Sequence, residues 1–323
     1  MLFNRLLGGV AAILCAASTH LAMAQAWPAK PVRMLLAFPP GGPTDIVSRV
    51  IAQRLSEQLG QQILVDNKPG AGGNIGAELA ARAPNDGYTI FYNTSAIVIN
   101  PALYGKSSYD TLKDFVPVVL TAAIPMVLVV HPALPVKSMR EFVEHARSKP
   151  GQLNYSSSGA GTITHLASAM LAAQMGLSAQ HVAYKGSAPG LVDLAAGQTQ
   201  FMTDTINTAL PYVKDGRLRA IAVTSARRSS ILPELPTFAE SGLPGFDAAA
   251  WQGVVVPTGT SAEIVTRLNA EINKALQDPG VRARLAAQGA DVLGGTGAEY
   301  AAYIRAETPR WAKAIKDSGA KAE

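Results

Sequence analysis

Three stretches of this chain repeat one local design: an extended segment, a glycine-rich junction, then a run with helical spacing. They are "VRMLLAFPPGGPTDIVSRVIAQRLSEQLG", "ILVDNKPGAGGNIGAELAARA" and "LNYSSSGAGTITHLASAMLAAQMG"; "VAYKGSAPGLVDLAAG" is a looser fourth case. Extended and helical runs in alternation build a mainly parallel sheet covered by helices, so the class expected is α/β. In the first helix Val47, Ile51, Leu55 and Leu59 recur at steps of four, while Arg49, Gln53, Arg54 and Glu57 occupy the other faces.

At each junction the first backbone N–H groups of the helix lack partners inside it, and the positive end of the helix dipole lies behind them. Glycine lets the backbone approach a ligand closely, and proline in a first turn gives up only an N–H the helix does not use. In parallel α/β sheets such loops gather at the carboxyl ends of the strands, where they converge on one cleft as seats for an anion. The candidate seats are Phe38, Gly41, Gly42, Thr44 and Asp45 in the first junction and Gly73 and Asn74 in the second. Thr94 and Ser95 close a further extended run, Ser157, Ser158, Gly161 and Thr162 form the third junction, and Tyr184 and Lys185 the fourth. Thr44, Asn74, Thr94, Ser95, Ser157, Ser158 and Thr162 add neutral hydroxyl and amide groups suited to fixing orientation.

Each of these residues also has a purely structural role open to it. The glycines serve as turn residues, and Thr44 or Asp45 caps the first helix. Asp204, in "FMTDT", either accepts an amine or hydroxyl in the cleft or caps a strand end; Lys185 either pairs with a carboxylate or sits solvated in a loop. His165 falls inside a helical run beside the third junction, where a structural histidine is the commoner case.

The 323 residues can bury one large core or two of ordinary size. The opening residues have their own logic: Arg5 precedes the apolar "LLGGVAAILCAA", and "AMA" at Ala22 to Ala24 is a small-x-small cleavage site, which reads as a secretory signal peptide cut near Ala24. The single cysteine, Cys15, lies within it, so a mature chain would carry none, as suits a well-packed periplasmic protein. Without Arg5 the chain holds 27 basic and 23 acidic residues, with only Arg227 and Arg228 adjacent among the basic ones, and no concentrated patch for nucleic acid. Such a mild positive field suits a small anion.

The run "FVPVVLTAAIPMVLVV", Phe115 to Val130, is too long for one ordinary strand, and Pro117 and Pro125 interrupt it. It is expected as two strands meeting near Ala122 to Pro125, where the chain crosses between lobes. The proline- and glycine-rich stretch from Ile231 to Pro257 carries the chain back. Two capping boxes, "TSAE" at Thr260 to Glu263 and "TGAE" at Thr296 to Glu299, open the helical tail. No HExxH, GxSxG, P-loop or spaced metal motif occurs, and His131, His145, His165 and His181 are scattered. No cofactor is expected.

"PAKPVRMLLAFPPGGPTD", "VDNKPGAGGNIGAELAARAPNDGYT", "LNYSSSGAGTITHLASAML" and "YKGSAPGLVDLAAGQTQFMTD" together resemble the periplasmic solute-binding proteins of tripartite tricarboxylate transporters, the Bug (Bordetella uptake gene) family. The resemblance covers nearly the whole mature chain. It implies a periplasmic-binding-protein-like fold, type II-like, with two α/β lobes joined by two interdomain crossings and closing over a small carboxylate without catalysis. The ligand's carboxylate is then expected against Phe38 to Asp45 and Gly72 to Asn74, with Ser157 to Thr162, Tyr184 to Gly186 and Asp204 contributed by the second lobe. Pro43 and the "MTD" at Met202 to Asp204 depart from the family pattern and bear on selectivity.

The expected organisation is a signal peptide over 1–24, one lobe from 25–123 plus 249–323, and a second from 124–248. The function expected is that of a monomeric extracytoplasmic receptor passing a small carboxylate to the membrane subunits of such a transporter. Two rival classes remain, a secreted enzyme acting on carboxylate derivatives and a ligand sensor for a membrane kinase.

Overall fold

The computed structural model describes residues 27–105 and 108–321; the expected signal peptide and Cys15 lie outside the described residues. Alternation of strand and helix holds from the start. Strand β1 (Val32–Leu36) leads through the first junction into helix α1 (Pro43–Leu59), and β2 (Ile63–Asn67) leads through the second into α2 (Asn74–Ala81). β3 (Thr89–Thr94) is followed by α3 (Ala96–Tyr104). β1 pairs in parallel with β2 on one side and β3 on the other. On α1, Val47, Ile51 and Leu55 are fully buried, which is the apolar stripe read from their spacing.

β4 (Phe115–Val130) is one continuous strand of 16 residues, not the expected pair. It changes partners instead of breaking. Phe115 to Pro125 pair antiparallel with β9 (Ala249–Pro257), and Met126 to Val130 pair antiparallel with β7 (Phe201–Thr205) and β8 (Arg219–Val223). Register shifts after Pro117 and after Leu120 accommodate a residue that has no N–H to donate, and Pro125 falls at the handover. The strand order is β2-β1-β3-β9-β4-β7-β5-β6, with β5 (Leu153–Ser157) and β6 (Ala179–Ala183) parallel to each other.

Two sheet portions therefore share β4 as a spine. Around the β5–β7 portion lie α4 (Met139–Ser148), α5 (Ile163–Met175), α6 (Ser187–Ala195) and α7 (Ile206–Lys214). The returning chain passes from Ala248 into β9 next to the handover on β4. Buried Thr224 fixes the two passages side by side: its hydroxyl accepts from the Met126 N–H at 3.1 Å and donates to the Ala248 carbonyl at 2.5 Å.

The tail adds α8 (Ala262–Gln277), α9 (Pro279–Ala286), the short β10 (Asp291–Val292) paired with β4, and α10 (Gly297–Ser318). The capping box at Thr296 and Glu299 forms with both reciprocal bonds. At α8 the cap is one residue later than expected: Ser261 accepts from the Ile264 N–H, while the Thr260 hydroxyl donates to the Pro257 carbonyl and is not available. Among the described residues no helix is long and apolar enough to cross a membrane.

Candidate functional site

Helix starts differ in their caps, and α2 and α3, off the wall of the cavity between the two sheet portions, also begin without a side-chain cap bond. α4, α8, α9 and α10 begin with a side-chain cap, from Ser138, Ser261, Asp278 and Thr296. α1, α6 and α7 begin at Gly42, Gly186 and Thr205 with no side-chain cap bond, and all three of these residues line one cavity. A cap contributes about 1 kcal/mol, so three neighbouring starts without one leave orphan N–H groups and the positive ends of three dipoles aimed at the same space. α5 is the exception at this cavity, since Thr162 accepts from the His165 N–H.

The cavity lies between the two sheet portions and is partly open to solvent. From the β1–β3 side come Phe38, Gly42, Thr44 and Thr94; from the β5–β7 side come Ser158, Thr162, Lys185, Ser187 and Thr205; β9 adds Ala250 and Gln252. Lys185 is the one charged side chain on this wall and forms no ion pair among the described residues. The hydroxyls are largely committed to one another. Ser158 and Thr162 both meet Thr164, and Ser187 donates to Asp204 at 2.8 Å. What the wall still offers is backbone N–H, one ammonium group and the Gln252 carboxamide, whose Oε1 is buried without a partner.

A second cavity adjoins the first through Phe38, Pro39, Ser158, Lys185 and Gly186. Gly73 and Tyr184 belong to this one. The two sides of the molecule touch here, because the Tyr104 hydroxyl donates to the Ala160 carbonyl at 3.3 Å and a Cβ built on Gly72 falls 2.4 Å from that same oxygen. Gly72, at φ +60, and its neighbour of the opposite portion are thus in van der Waals contact with no room for a side chain.

This chain matches the description of the tripartite tricarboxylate transporter family receptor over residues 47–320. It belongs to that family. Protein BugT of Bordetella pertussis is 36% identical over 300 residues, covering 92% of each chain. The structure of R. palustris Rpa4515 with adipate superposes with a TM-score of 0.88 at 38% identity, covering 91% of this chain and 98% of the other. MatC from Rhodopseudomonas palustris with bound malate superposes at 0.85 and 33% identity, covering 90% of this chain and 100% of the other. The receptor thus has the periplasmic-binding-protein fold expected from its sequence, and Bug-family membership stands with it.

Of the residues singled out in the sequence, Phe38, Gly42, Thr44, Thr94, Ser158, Thr162 and Lys185 meet on the first cavity. The others are placed elsewhere, each for a visible reason. Asp45 is buried beneath the first junction, where its carboxylate accepts from the Gly41 N–H, Arg49 and Asn67. Burial opposes its ionisation, and the bonds from Arg49, Gly41 and Asn67 outweigh it, holding its pKa below the ordinary carboxylate value. Asp45 is a brace for the loop. Gly41 serves the same brace.

Ser157 is also behind the wall: its hydroxyl lies 2.6 Å from His181 Nε2 and accepts from the Gly159 N–H. His181 stacks on His165 with ring centroids 3.8 Å apart, and burial pushes its pKa down to about 4, so this imidazole pair is packing for the third junction. Gly161 donates its N–H to His165 Nδ1 and packs under Asn100, Leu103 and Tyr104. Asn74 and Ser95 start α2 and α3 off the cavity wall, with Asn74 Oδ1 and Ser95 Oγ buried and unpartnered. Asp204 is fully buried one layer below the surface of the cleft, where the wall residues Ser187 and Thr205 both donate to it.

Sequence reasoning missed Gln252 and Ala250 because β9 arrives from far along the chain. Gln252 did carry a signal, as the one amide in the otherwise apolar strand "AAWQGVVVP".

Proposed function

We propose that this chain is an extracytoplasmic receptor that captures a small organic carboxylate between two lobes and delivers it to the membrane subunits of a tripartite tricarboxylate transporter. The observation that carries the reading is the convergence of three uncapped helix starts, Gly42, Gly186 and Thr205, on one cavity that also holds Lys185. Orphan N–H groups aligned with helix dipoles favour an anionic head group, and Lys185 adds a full charge at the mouth. Adipate and malate in the related structures are carboxylates of the size such a cavity accepts.

In this reading the chain works as a monomer without catalysis. Its lobes comprise residues 25–123 with 249–323 and residues 124–248, after export and removal of 1–24. The thermal stability of the purified protein against a panel of mono-, di- and tricarboxylates tests the function. A ligand at 100 times its Kd stabilises the folded state by about 2.7 kcal/mol. Recovery of unchanged ligand after binding supports a receptor, whereas a cooperative melt that no carboxylate shifts, or turnover of the ligand, overturns it.

A further inference from the structure

Asp204 is a fully buried carboxylate with no ion-pair partner among the described residues. It ends β7 with zero exposure, one hydroxyl away from the cleft. Oδ1 accepts from Ser187 Oγ at 2.8 Å, Oδ2 accepts from Thr208 Oγ1 at 2.7 Å, and the Thr205 N–H donates to the same carboxylate. Ser187 is the first residue of the uncapped helix α6, and both it and Thr205 stand on the cavity wall.

The start of α7 and the three donors offset this charge in part, but no lysine or arginine side chain pairs with it among the described residues. β4 has no titratable side chain; β5 carries Tyr155, α5 His165, α6 Asp193, and α7 Tyr212 and Lys214, with Lys185 in the loop before α6. The dominant influence on Asp204 is its burial, and its partners are the hydroxyls of Ser187 and Thr208 and the Thr205 N–H. Burial raises its pKa to about 6 against the opposing bonds from Thr208, Ser187 and the Thr205 N–H.

The bond from Ser187 fixes what its hydroxyl can do in the cleft. While Asp204 is ionised, the single hydroxyl proton is committed to Oδ1, and Ser187 presents only lone pairs to the cavity. A ligand carboxylate seated at the start of α6 then meets those lone pairs and a second negative charge one residue layer behind them. Protonation of Asp204 removes both oppositions together. The new carboxylic O–H donates to Ser187 Oγ, and the serine proton turns into the cavity as a donor to the ligand.

We propose that carboxylate binding at this cleft takes up one proton, which Asp204 holds and the Ser187 hydroxyl relays. This rests on the receptor reading given above. The proton is supplied by the buffer acid and relayed through cavity water, which is itself reprotonated; it passes to Ser187 Oγ as that hydroxyl gives its own proton to Asp204 Oδ1, so the bound state gains one positive charge against the ligand's negative one. Ser187 is the contact residue and Asp204 the positioning residue that sets its donor sense.

Titration calorimetry on the full mature protein tests it, with adipate, malate and butyrate as probes, each run at pH 7.5 in phosphate and in Tris. The two buffers differ in ionisation heat, so the difference reads proton uptake directly. The expected result is uptake approaching one proton per ligand at pH 7.5, vanishing below pH 5, with affinity falling up to about tenfold per pH unit above pH 6. Asp204→Asn, whose amide donates to Ser187 as the protonated acid does, abolishes uptake and binds more tightly than wild type at pH 8. Ser187→Ala weakens binding and loses most of the uptake.

A residue with a merely structural role lowers affinity without altering proton stoichiometry. Binding with no uptake in wild type, or unchanged uptake in a folded Asp204→Asn protein, overturns the proposal and leaves the receptor reading standing. Failure of all three probes, extended to the wider carboxylate panel, overturns both.

Discussion

Glu307 offers the sharpest test of how the two passages between the sheet portions are held. It projects from α10 with only 5% exposure, and its Oε2 accepts from two buried indoles, Trp251 Nε1 at 2.9 Å and Trp311 Nε1 at 2.8 Å. Oε1 accepts from Arg310 at 2.6 Å, and Arg310 in turn donates to the Asp247 carbonyl, just before β9 begins. One carboxylate thus ties the C-terminal helix to both ends of the returning passage, Asp247 and Trp251.

Replacing it by leucine leaves two indole N–H groups buried without acceptors, at about 1–3 kcal/mol each. The lost partner of Arg310 adds less, since that side chain is 39% exposed and water replaces part of the interaction. The expected loss for Glu307→Leu is about 3–5 kcal/mol, in the range for breaking a buried charged cluster. At roughly 2–4 °C per kcal/mol for a chain somewhat smaller than this one, Tm falls by about 10 °C. Glu307→Gln keeps an acceptor for the indoles but turns an N–H toward Arg310, so its loss is smaller, about 1–2 kcal/mol.

Circular dichroism melts give the order wild type, Gln, Leu. Tryptophan emission gives an independent reading, because two of the chain's three tryptophans bond to this carboxylate. A Glu307→Leu protein that melts within 2 °C of wild type, with unchanged emission, refutes the reasoning.

Three further outcomes follow from other parts of the molecule. Gly72→Ala places a methyl 2.4 Å from the Ala160 carbonyl oxygen of the opposite portion, so carboxylate affinity should fall at least tenfold in titration calorimetry, with Tm lowered by a few degrees from the strain of a side chain at φ +60; unaltered affinity would show that this contact is absent from the liganded form. Asp204 has a folded pKa of about 6 against 3.8 unfolded, so its stabilising contribution is complete below pH 3.8 and is lost as pH rises through 6. The difference in urea stability between wild type and Asp204→Asn should therefore shift by roughly 2 kcal/mol in favour of the variant between pH 4 and pH 7.5, and a constant difference would contradict it. Thr296→Ala removes one bond of the α10 capping box and should cost about 1 kcal/mol in melts while leaving ligand affinity unchanged.

Legibility in the sequence followed the range of the interactions involved. The α/β class, the strand-to-helix junctions and the α1 stripe depend on neighbours within one turn or one strand, and all are visible in local spacing. The wall residues Phe38, Gly42, Thr44, Ser158, Thr162 and Lys185 were legible for the same reason, since each lies in a junction that the sheet brings to its carboxyl edge. Asp45 and Asp204 were not legible in the same way, because a carboxylate beside a glycine loop looks the same in sequence whether it faces the cleft or holds the loop. Only the positions of Arg49 and Asn67 around one, and of Ser187 and Thr208 around the other, decide between those roles.

β4 was misjudged in a related way. Its prolines are real interruptions to pairing, but Pro117 coincides with a bulge and Pro125 with a change of partner, so the backbone stays extended through both. A proline forbids a hydrogen bond, not a direction of travel.

The distribution of caps ties these local and distant facts together. Ser138, Ser261, Asp278 and Thr296 each satisfy a helix start away from the cleft, so this chain places good capping residues where nothing else will meet the N–H groups. At Gly42 and Gly186 it places residues with no side chain to offer, and at Thr205 a hydroxyl turned toward the Thr208 hydroxyl instead of a backbone N–H. At Gly42, where the backbone suits any residue, stability alone would favour serine or aspartate, whereas Gly186, at φ +115, needs glycine for its backbone. An acceptor arriving from outside the chain explains the omission, and at Gly186 the approach of Pro39 from the opposite portion, 3.3 Å from a built Cβ, adds a second reason for glycine. The same absence of side chains thus serves the head group of a ligand and the contact of the two portions around it. Substituting Ser at Gly42, where φ is −78 and an L-residue is unstrained, separates those two roles: it should raise Tm by supplying a cap and weaken carboxylate binding by occupying the seat.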